Sequence, residues 1–467
     1  MKIKFILNNR IVETETHPAK SLLDFLRKDE KLTAPKEVCK EGDCGACTVL
    51  LGSVENGELV YRNIASCVYP VGNVSGKHVV TLEGLNEPKL NFIQKHFAEE
   101  GAAQCGFCTP GYIASLTNYF ISNATYNETT ALMSISGNVC RCTGYGSIKR
   151  AVKNMVTELR SSADKLEDRL NLLAEKNVIP SYFKNIKERL QALGEISVSV
   201  SDGRPVGGGT DLLVQIPEKI RREKVSLLAL KRKEPIGEAE GKITFDAETT
   251  FAEFGEAEII KRQIPNFDSV EKLIASPLIR NVATIAGNVA NASPIGDFSI
   301  ILLALNAELV IEGKEERIVP LRNFYKGYKQ LALEDGEIIK RISFPVFGDG
   351  CKFNFEKVSK RTHLDIASVN SAIKTKINEE GIIELAEISA GGVAPVPKFL
   401  SETSAFLKGK KLNNETLAAS LEKAQSEVSP ISDVRGSAEY KRKLLDRLII
   451  AHFVKLYPDK INVGGLL

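Results

Sequence analysis

Long hydrophobic runs, an excess of one charge and internal repeats are all missing from this chain. No apolar stretch reaches the about 18 residues of a membrane span, and the best candidate, residues 300–305, ends at Asn306 and Glu308. The 62 basic and 59 acidic residues leave a net charge of +3, which gives no bulk attraction for nucleic acid or anionic lipid. The first residues, MKIKFILNNRIVE, lack the pattern of a signal peptide. We therefore expect a cytoplasmic protein that binds neither membranes nor nucleic acid.

The hydrophobic pattern changes several times along the chain, whose length suggests about three domains. Alternating residues around Asn8-Asn9 predict a β-hairpin, and helical periodicity predicts short helices at 19–28 and 145–160. The end of the chain is predicted to hold strands followed by helices. The sequence predicts a multidomain α+β fold with boundaries at 1–82, 83–160, a linker at 161–177, 178–346 and 347–467.

Cysteine has the most informative distribution of any residue type. Eight of the nine cysteines precede residue 143 and form two groups of four, and Cys351 stands apart. Disulfides are rare in a reducing cytosol, so clustered cysteines there indicate metal binding. Cys351 is expected to be a small buried hydrophobic residue.

The first cysteine group has the spacing of a plant-type ferredoxin, C-x4-C-x2-C with a fourth cysteine after 19 residues. Its members are Cys39, Cys44, Cys47 and Cys67. Gly42 and Gly45 allow the backbone to turn tightly, so that loop amides can point at sulfur. A zinc site or four structural cysteines are the alternatives, although zinc sites more often use two C-x2-C pairs. The spacing favours a two-iron two-sulfur cluster.

The second group consists of two close pairs, C-x2-C in QCGFCTPG and C-x-C in GNVCRCTGY, separated by 31 residues. Its members are Cys105, Cys108, Cys140 and Cys142. Helices are predicted to begin at Thr109-Pro110 and at Thr143, directly after each pair. Positive helix ends would then stabilise the thiolates. The spacing alone leaves an iron–sulfur cluster and a zinc site both open.

Together, GDCGACTVL, QCGFCTPG and GNVCRCTGY resemble the iron–sulfur module of the molybdenum hydroxylase family. That family includes xanthine dehydrogenases, aldehyde oxidoreductases and carbon monoxide dehydrogenases. The resemblance covers residues 1–155 and implies two two-iron two-sulfur clusters, one in a β-grasp ferredoxin-like domain and one in a helical domain. In the family, the helical domain's cluster lies nearer a molybdenum cofactor and the other lies nearer a flavin. Gln104 matches a position close to the pterin of that cofactor.

Two glycine-rich segments follow, PVGGGTDL (205–212) and TIAGNVANASPIGDFS (284–299). The first permits close backbone approach to a diphosphate, although it does not fit the G-x-G-x-x-G fingerprint. In the second, Asn288 and Ser293 supply donors and Asp297 an acceptor. Taken singly, each is also an ordinary glycine-rich loop. With ISFP and KVSKRTHLDIA, they resemble the FAD domain of the same family, which implies an α+β FAD-binding domain at 178–346 and an α+β C-terminal flavoprotein domain at 347–467.

That resemblance implies a set of flavin contacts. They are Val206, Gly207, Gly208, Gly209, Thr210, Asp211, Leu212, Thr284, Gly287, Asn288, Asp297, Ile339 and Lys357. Ile274 stands where some relatives carry phenylalanine, so aromatic stacking on the flavin is lost there. Tyr328, in FYKGYK, matches a position where nicotinamide can approach the flavin, and it is otherwise an ordinary loop tyrosine.

The iron–sulfur and flavin parts, fused in this order, resemble the iron–sulfur/FAD subunit of bacterial xanthine dehydrogenases. The resemblance implies NAD as acceptor, oxidation of hypoxanthine and xanthine to urate, and a large molybdopterin-binding subunit in a heterotetramer with two copies of each chain. The alternatives are the same subunit for an aldehyde or another N-heterocycle, a stand-alone flavin reductase, and a zinc-binding interaction protein. A reductase of the 4-hydroxybenzoyl-CoA type would carry an extra cluster, and Cys351 alone does not supply its ligands.

Overall fold

The computed structural model describes residues 2–161, 163–194, 203–228 and 236–461. The chain divides into two compact units. The first unit comprises Met1–Lys231 and Ser276–Ala283, and the second comprises Arg232–Ala275 and Thr284–Leu467. None of the helices within the described ranges is long and apolar enough to cross a bilayer.

Strands and short helices alternate along the chain. The strands are β1 (Ile3–Leu7), β2 (Arg10–Thr14), β3 (Thr48–Glu55), β4 (Glu58–Ala65), β5 (His78–Val80), β6 (Arg204–Val206), β7 (Val225–Leu227), β8 (Gly237–Ala239), β9 (Lys242–Asp246), β10 (Glu308–Glu312), β11 (Glu316–Pro320), β12 (Tyr325–Gly327), β13 (Gln330–Leu331), β14 (Ile338–Pro345), β15 (Lys352–Val358), β16 (Val369–Ile377), β17 (Ile383–Gly391) and β18 (Lys398–Phe399). The α-helices are α1 (Leu22–Asp24), α2 (Phe92–Glu99), α3 (Thr109–Ser122), α4 (Glu128–Ser134), α5 (Gly146–Leu159), α6 (Leu166–Glu175), α7 (Ile186–Gln191), α8 (Thr210–Gln215), α9 (Pro217–Ile220), α10 (Phe251–Glu256), α11 (Glu258–Gln263), α12 (Phe267–Glu271), α13 (Pro277–Arg280), α14 (Ile285–Asn291), α15 (Asp297–Ala304), α16 (Ser401–Leu407), α17 (Asn414–Glu427) and α18 (Ala438–Leu456).

The first unit begins with a mixed five-stranded sheet in the order β2-β1-β5-β3-β4. β1 and β5 run parallel, and β1 and β2 form a hairpin in which Leu7 faces Arg10. Asn8 has a φ of 53°, a left-handed conformation that asparagine tolerates in tight turns. The predicted hairpin is therefore confirmed. The helix predicted at 19–28 begins later, at Leu22. After α1 it continues as a π-helical segment, Phe25–Asp29.

A helical layer, α2 to α5, follows the sheet and shares one core with part of it. α5 buries Ile148, Val152 and Met155 on one face, as helical periodicity requires. The helix starting at Thr109 is confirmed, but a helix start at Thr143 is wrong. Gly144 and Tyr145 have φ values of 58° and 67°, and two left-handed residues in succession cannot begin a right-handed helix.

Residues 161–194 also contribute to the first unit's core. The predicted linker contains α6, whose Leu170 and Leu173 are buried in the same core as α3. Tyr182 and Phe183 pack their rings near that of His78 on β5, with centroids 5.9 and 5.6 Å away. The start of the segment predicted as the FAD-binding domain thus packs on the first sheet.

Among the described residues, the second unit contains the small antiparallel pair β12-β13 and two larger antiparallel sheets, with strand orders β11-β10-β14-β9-β8 and β15-β16-β17-β18. Helices α15, α16 and α18 contact strands of the second of these sheets. Buried aliphatic side chains on β16, β17 and α18 form one core there, including Ile373, Ile388 and Ile449. The strands and helices predicted for the end of the chain are confirmed. Both units mix sheets and helices, so the predicted multidomain α+β class is confirmed as well.

Candidate iron–sulfur and flavin sites

The first cysteine group converges where two strands of the first sheet end. Antiparallel pairing puts Thr48, at the start of β3, opposite Ala65, at the end of β4. Cys47 and Cys67 lie just outside this pair and are 2% and 9% exposed. Ser66 donates its hydroxyl to the Cys47 carbonyl at 2.7 Å. Strand register therefore fixes half of this cysteine group.

The loop before β3 supplies the other two cysteines. Side-chain hydrogen bonds link the thiol of Cys39 to those of Cys44 and Cys67, and another links Cys67 to Cys47. The bond with Cys44, followed by that with Cys67, lowers the pKa of Cys39, while the same Cys39 bond raises the pKa of Cys44. The four sulfurs therefore form one connected group.

The backbone of this loop suits a cluster. Gly42 and Gly45 have φ values of 79° and 70°, which glycine adopts without steric strain. The amide of Glu41 donates to the Sγ atom of Cys39 at 3.4 Å. Amide hydrogen bonds to sulfur tune the reduction potential of iron–sulfur clusters. The donor set and the turn geometry both fit a two-iron two-sulfur cluster.

The second cysteine group forms two thiol pairs. The Sγ atoms of Cys105 and Cys142 are 3.5 Å apart, and a side-chain hydrogen bond links Cys108 to Cys140. Burial, followed by that bond, raises the pKa of Cys108 to about 12. Thr143 donates its hydroxyl to the Cys140 sulfur at 3.1 Å. Thr143 thus contacts a ligand sulfur instead of starting a helix.

Each cysteine group supplies four thiols, which is the ligand number of a two-iron two-sulfur cluster and also of a structural zinc ion. In the first group, the plant-type spacing and the backbone amide that donates to the Cys39 sulfur favour the two-iron cluster.

One backbone hydrogen bond joins the two cysteine groups. The amide of Val139, which precedes Cys140, donates to the carbonyl of Cys44 at 3.0 Å. Asn138 strengthens this junction, because its Nδ2 atom donates to the Gly45 carbonyl at 3.1 Å. Asn138 is only 5% exposed. The two loops are therefore held in contact by protein atoms alone.

The glycine-rich loop at 206–212 lies in the first unit and comprises the last residue of β6, the turn at 207–209 and the first residues of α8. Val206 and Leu213, at its two ends, share a core with Cys47 and Cys67. Gly208 is buried, and a Cβ atom added there would overlap the carbonyl oxygen of Val282. Protein packing therefore requires glycine at 208 independently of any ligand.

Asn73 is a contact of this loop that sequence reasoning missed. Its side chain is fully buried, and its Nδ2 atom donates to the Gly207 carbonyl at 2.9 Å. The surrounding sequence, YPVGNVSG, carries no pattern that indicates a ligand site. Only the contact across 134 residues of chain reveals the role of this side chain.

Several expected flavin residues lie in the second unit. Thr284 caps α14 by accepting a hydrogen bond from the amide of Gly287 at 3.1 Å. The Oδ1 atom of Asn288 accepts from the amide of Ser299 at 3.2 Å, which ties α14 to α15. Ile339 is buried in β14. These contacts define the local geometry at 284–299.

Lys357, on β15, is a buried cation. Its side chain is 2% exposed, and its Nζ atom donates to Asp297 Oδ2 at 2.7 Å and to the Leu273 carbonyl at 2.8 Å. Asn370 donates to the other oxygen of Asp297 at 2.6 Å. Both carboxylate oxygens of Asp297 thus have protein partners. The third donor of the ammonium group is without one among the described residues.

Replacing Asp297 with alanine is expected to destabilise the second unit, since a buried ammonium without its partner costs about 3–5 kcal/mol. Thermal unfolding of flavin-free protein measures the loss. Combining Asp297→Leu with Lys357→Met should recover most of it, because no buried charge remains. Glu384→Ala breaks the exposed pair with Lys376 and should cost at most about 1 kcal/mol. Equal losses for Asp297→Ala and Glu384→Ala would contradict the buried charge pair.

The remaining predicted positions differ widely in exposure. Tyr328 lies in the turn between β12 and β13 and is 63% exposed, so its ring is accessible to a ligand. Ile274 is 1% exposed. Gln104 is exposed beside Cys105. Cys351 is half-buried, so the prediction that it is a buried hydrophobic residue is wrong as stated.

Three family models match the chain in sequence order. Residues 81–153 match a [2Fe-2S] binding domain. Residues 181–347 match the FAD binding domain in molybdopterin dehydrogenase, and residues 355–455 match the CO dehydrogenase flavoprotein C-terminal domain. The chain therefore contains both an iron–sulfur and an FAD-binding domain.

Several longer proteins are similar to this chain over nearly all of its length. The xanthine dehydrogenase of Emericella nidulans is 28% identical over 98% of this chain and 39% of that protein. Xanthine dehydrogenase 1 of Arabidopsis thaliana is 28% identical over 95% of this chain and 38% of that protein. The chain thus spans about two fifths of the length of these relatives.

A solved structure is similar as well. The carbon monoxide dehydrogenase of Hydrogenophaga pseudoflava, solved in a form that lacks the Mo-pyranopterin moiety, aligns with a TM-score of 0.50 and 26% identity. The alignment covers 56% of this chain and 90% of that one. Together with the geometry of the two cysteine groups, these matches show a [2Fe-2S] binding domain, an FAD-binding domain of the kind found in molybdopterin dehydrogenases, and a flavoprotein C-terminal domain, in that order along the chain.

Proposed function

We propose that this chain is the electron-transfer part of a xanthine dehydrogenase. It would carry electrons from a molybdenum cofactor on a large partner chain, through two two-iron two-sulfur clusters, to FAD and then to NAD. The overall reaction would oxidise hypoxanthine and xanthine to urate in an assembly with two copies of each chain. A purine substrate is proposed from the similarity to xanthine dehydrogenases, which are 28% identical to this chain.

The observation that carries this proposal is the difference in exposure between the two cysteine groups. Cys105 and Cys142 are exposed, whereas Cys47 and Cys67 are buried. Phe107 and Val139, in the two loops that carry the second cysteine group, are each 43% exposed. An exposed apolar area next to a redox centre is typical of a surface that a partner covers. Electrons would therefore enter at the second cysteine group.

The protein contacts supply a short route inward from that surface. The hydrogen bond from Val139 to Cys44 joins the second group to the first. Cys47 and Cys67 then share a core with Val206, at the start of the glycine-rich loop. The order of contacts is therefore second group, first group, loop. This order supports a one-dimensional relay in which the protein sets spacing and potential while the bound clusters and FAD supply the redox chemistry.

The flavin end of the relay is proposed residue by residue. Loop residues 206–212 would hold the diphosphate with backbone amides, since glycines permit close approach. Thr284, Gly287, Asn288, Asp297, Ile339 and Lys357 would contribute further flavin contacts. Tyr328, with its exposed ring, would lie on the nicotinamide side.

The isolated chain is expected to reduce artificial dyes with NADH and to leave xanthine untouched. The physical reason is that the substrate site would lie on the partner, which supplies the molybdenum cofactor. Stopped-flow mixing of xanthine with the isolated chain, followed at flavin and cluster wavelengths, measures this directly. Adding the partner should restore purine oxidation coupled to NAD reduction.

Two outcomes would redirect the proposal. Bleaching of the chain by xanthine alone would mean that the substrate site lies here. Bleaching in the complete complex by carbon monoxide, an aldehyde or another heterocycle, but not by xanthine, would favour a different molybdenum hydroxylase. Carbon monoxide is tested as a reductant because the chain is similar to a carbon monoxide dehydrogenase.

A further inference from the structure

We infer that Asn73 is a positioning residue for the flavin phosphate loop, and that it couples FAD binding to the stability of the first iron–sulfur cluster. The inference rests on the proposed function, because it takes residues 206–212 as the diphosphate site. It goes beyond that function by assigning a role to a side chain outside every motif in the sequence.

The side chain of Asn73 contacts the glycine-rich loop directly. Its amide donates to the Gly207 carbonyl at 2.9 Å, which turns that carbonyl inward. A phosphate group needs N–H donors and is repelled by carbonyl oxygens. Holding the Gly207 carbonyl away therefore leaves the loop amides available for an anion. Without this donor, the Gly207 carbonyl would lose this partner and the loop would be free to rotate.

The same side chain also carries a polar atom without a hydrogen-bond partner. Asn73 is fully buried, and its Oδ1 atom has no hydrogen-bond partner among the described residues. Unpartnered buried polar atoms are rare and costly in native proteins. An asparagine retained at such a cost, with its other end on the glycine-rich loop, points to a positioning role.

Asn73 lies on the same short segment of chain as a cluster ligand. Cys67 is in the short 3-10 turn Ser66–Val68, and Asn73 is in the next one, Val71–Val74. Pro70 lies between them, and a Cβ atom added at Gly209 would overlap its ring. The backbone N–H of Asn73 also donates to the Pro70 carbonyl at 3.0 Å. One continuous segment thus holds a cluster ligand at one end and contacts the flavin loop at the other.

Coupling follows from this shared segment. A ligand that orders the segment from one end reduces the cost of ordering it from the other, and such linkage is reciprocal. FAD on the loop should therefore stabilise the geometry at Cys67. An intact first cluster should in turn tighten FAD binding. The second cluster, whose cysteines lie outside this segment, should respond much less.

The first experiment measures FAD affinity in flavin-depleted protein with both clusters present, by quenching of flavin fluorescence. Asn73→Leu keeps the size of the side chain and removes the donor. It should weaken FAD binding about tenfold, as expected for the loss of one hydrogen bond to a partly buried carbonyl, with both cluster signals retained. Asn63→Leu is the matched control, because Asn63 is also buried with an unpartnered Oδ1 atom but donates to Ser115. It should bind FAD like the wild type.

The second experiment needs no substitution and tests the coupling itself. Wild-type protein with and without FAD is treated with an iron chelator, and the two cluster signals are followed by electron paramagnetic resonance. FAD should slow the loss of the first cluster several-fold and barely change the loss of the second. Equal rates with and without FAD, or unchanged FAD affinity in Asn73→Leu, would overturn the inference. Failure of wild-type protein to bind FAD at all would overturn the proposed function instead.

Discussion

Replacing Cys142 with serine is expected to remove one of two iron–sulfur signals and to leave the other intact. The Cys142 sulfur lies 3.5 Å from that of Cys105, and both of these members of the second group are exposed. Serine is a poor iron ligand compared with thiolate. Iron content should fall from roughly four to roughly two atoms per chain, since each cluster contains two irons. Electron paramagnetic resonance of the reduced protein measures which signal is lost.

The matched control for this experiment is Cys351→Ser. Cys351 lies in the second unit and belongs to neither cysteine group, so both signals and the full iron content should remain. Retention of both signals in Cys142→Ser would contradict the assignment of the second group. Loss of both signals, with the circular dichroism spectrum unchanged, would mean that the eight cysteines do not form two separate sites.

The second large effect is expected at Gly208, where alanine should release FAD. An added Cβ atom would overlap the carbonyl oxygen of Val282, so the loop would have to move away from residues 276–283. The loop amides would move with it and lose their alignment for the diphosphate. We expect FAD affinity to fall at least about a hundredfold, because several charge-assisted hydrogen bonds would be lost together. Flavin content after gel filtration gives the first measurement.

Gly348→Ala is the control for a glycine substitution as such. A Cβ atom there would meet open space, so flavin content should be unchanged. Both cluster signals should survive in Gly208→Ala, which shows that the rest of the first unit is folded. A full equivalent of FAD in Gly208→Ala would place the diphosphate elsewhere in the chain.

Local sequence patterns were sufficient for much of the architecture. The hairpin around Asn8, the helix that starts at Thr109 and the alternating strands after residue 350 depend on periods of two or 3.6 residues. These periods extend over one element, so neighbouring residues alone specify them. The spacing of the cysteines is equally local within each loop, and the division into two groups could therefore be read without a structure.

The start of α5 shows where a local pattern was not sufficient. Thr143 looked like a helix start, because it follows a cysteine pair and precedes an apolar periodicity. The left-handed backbone at Gly144 and Tyr145 delays the helix to Gly146. Thr143 instead uses its hydroxyl on the Cys140 sulfur. A side-chain contact within the same loop, three residues away, thus takes the place of the predicted helix start.

The sequence by itself determined the spacing of the cysteines and the two glycine-rich segments, and the resemblance of these motifs to a known family indicated the cofactor classes. Only the tertiary structure decided how the centres connect. Asn138 reaches Gly45 across 93 residues and Asn73 reaches Gly207 across 134. Residues 276–283 belong to the first unit although their neighbours on both sides belong to the second. Such contacts depend on packing between distant segments, for which no local periodicity exists, and they determine which buried asparagine holds a loop and which cysteine remains at the surface.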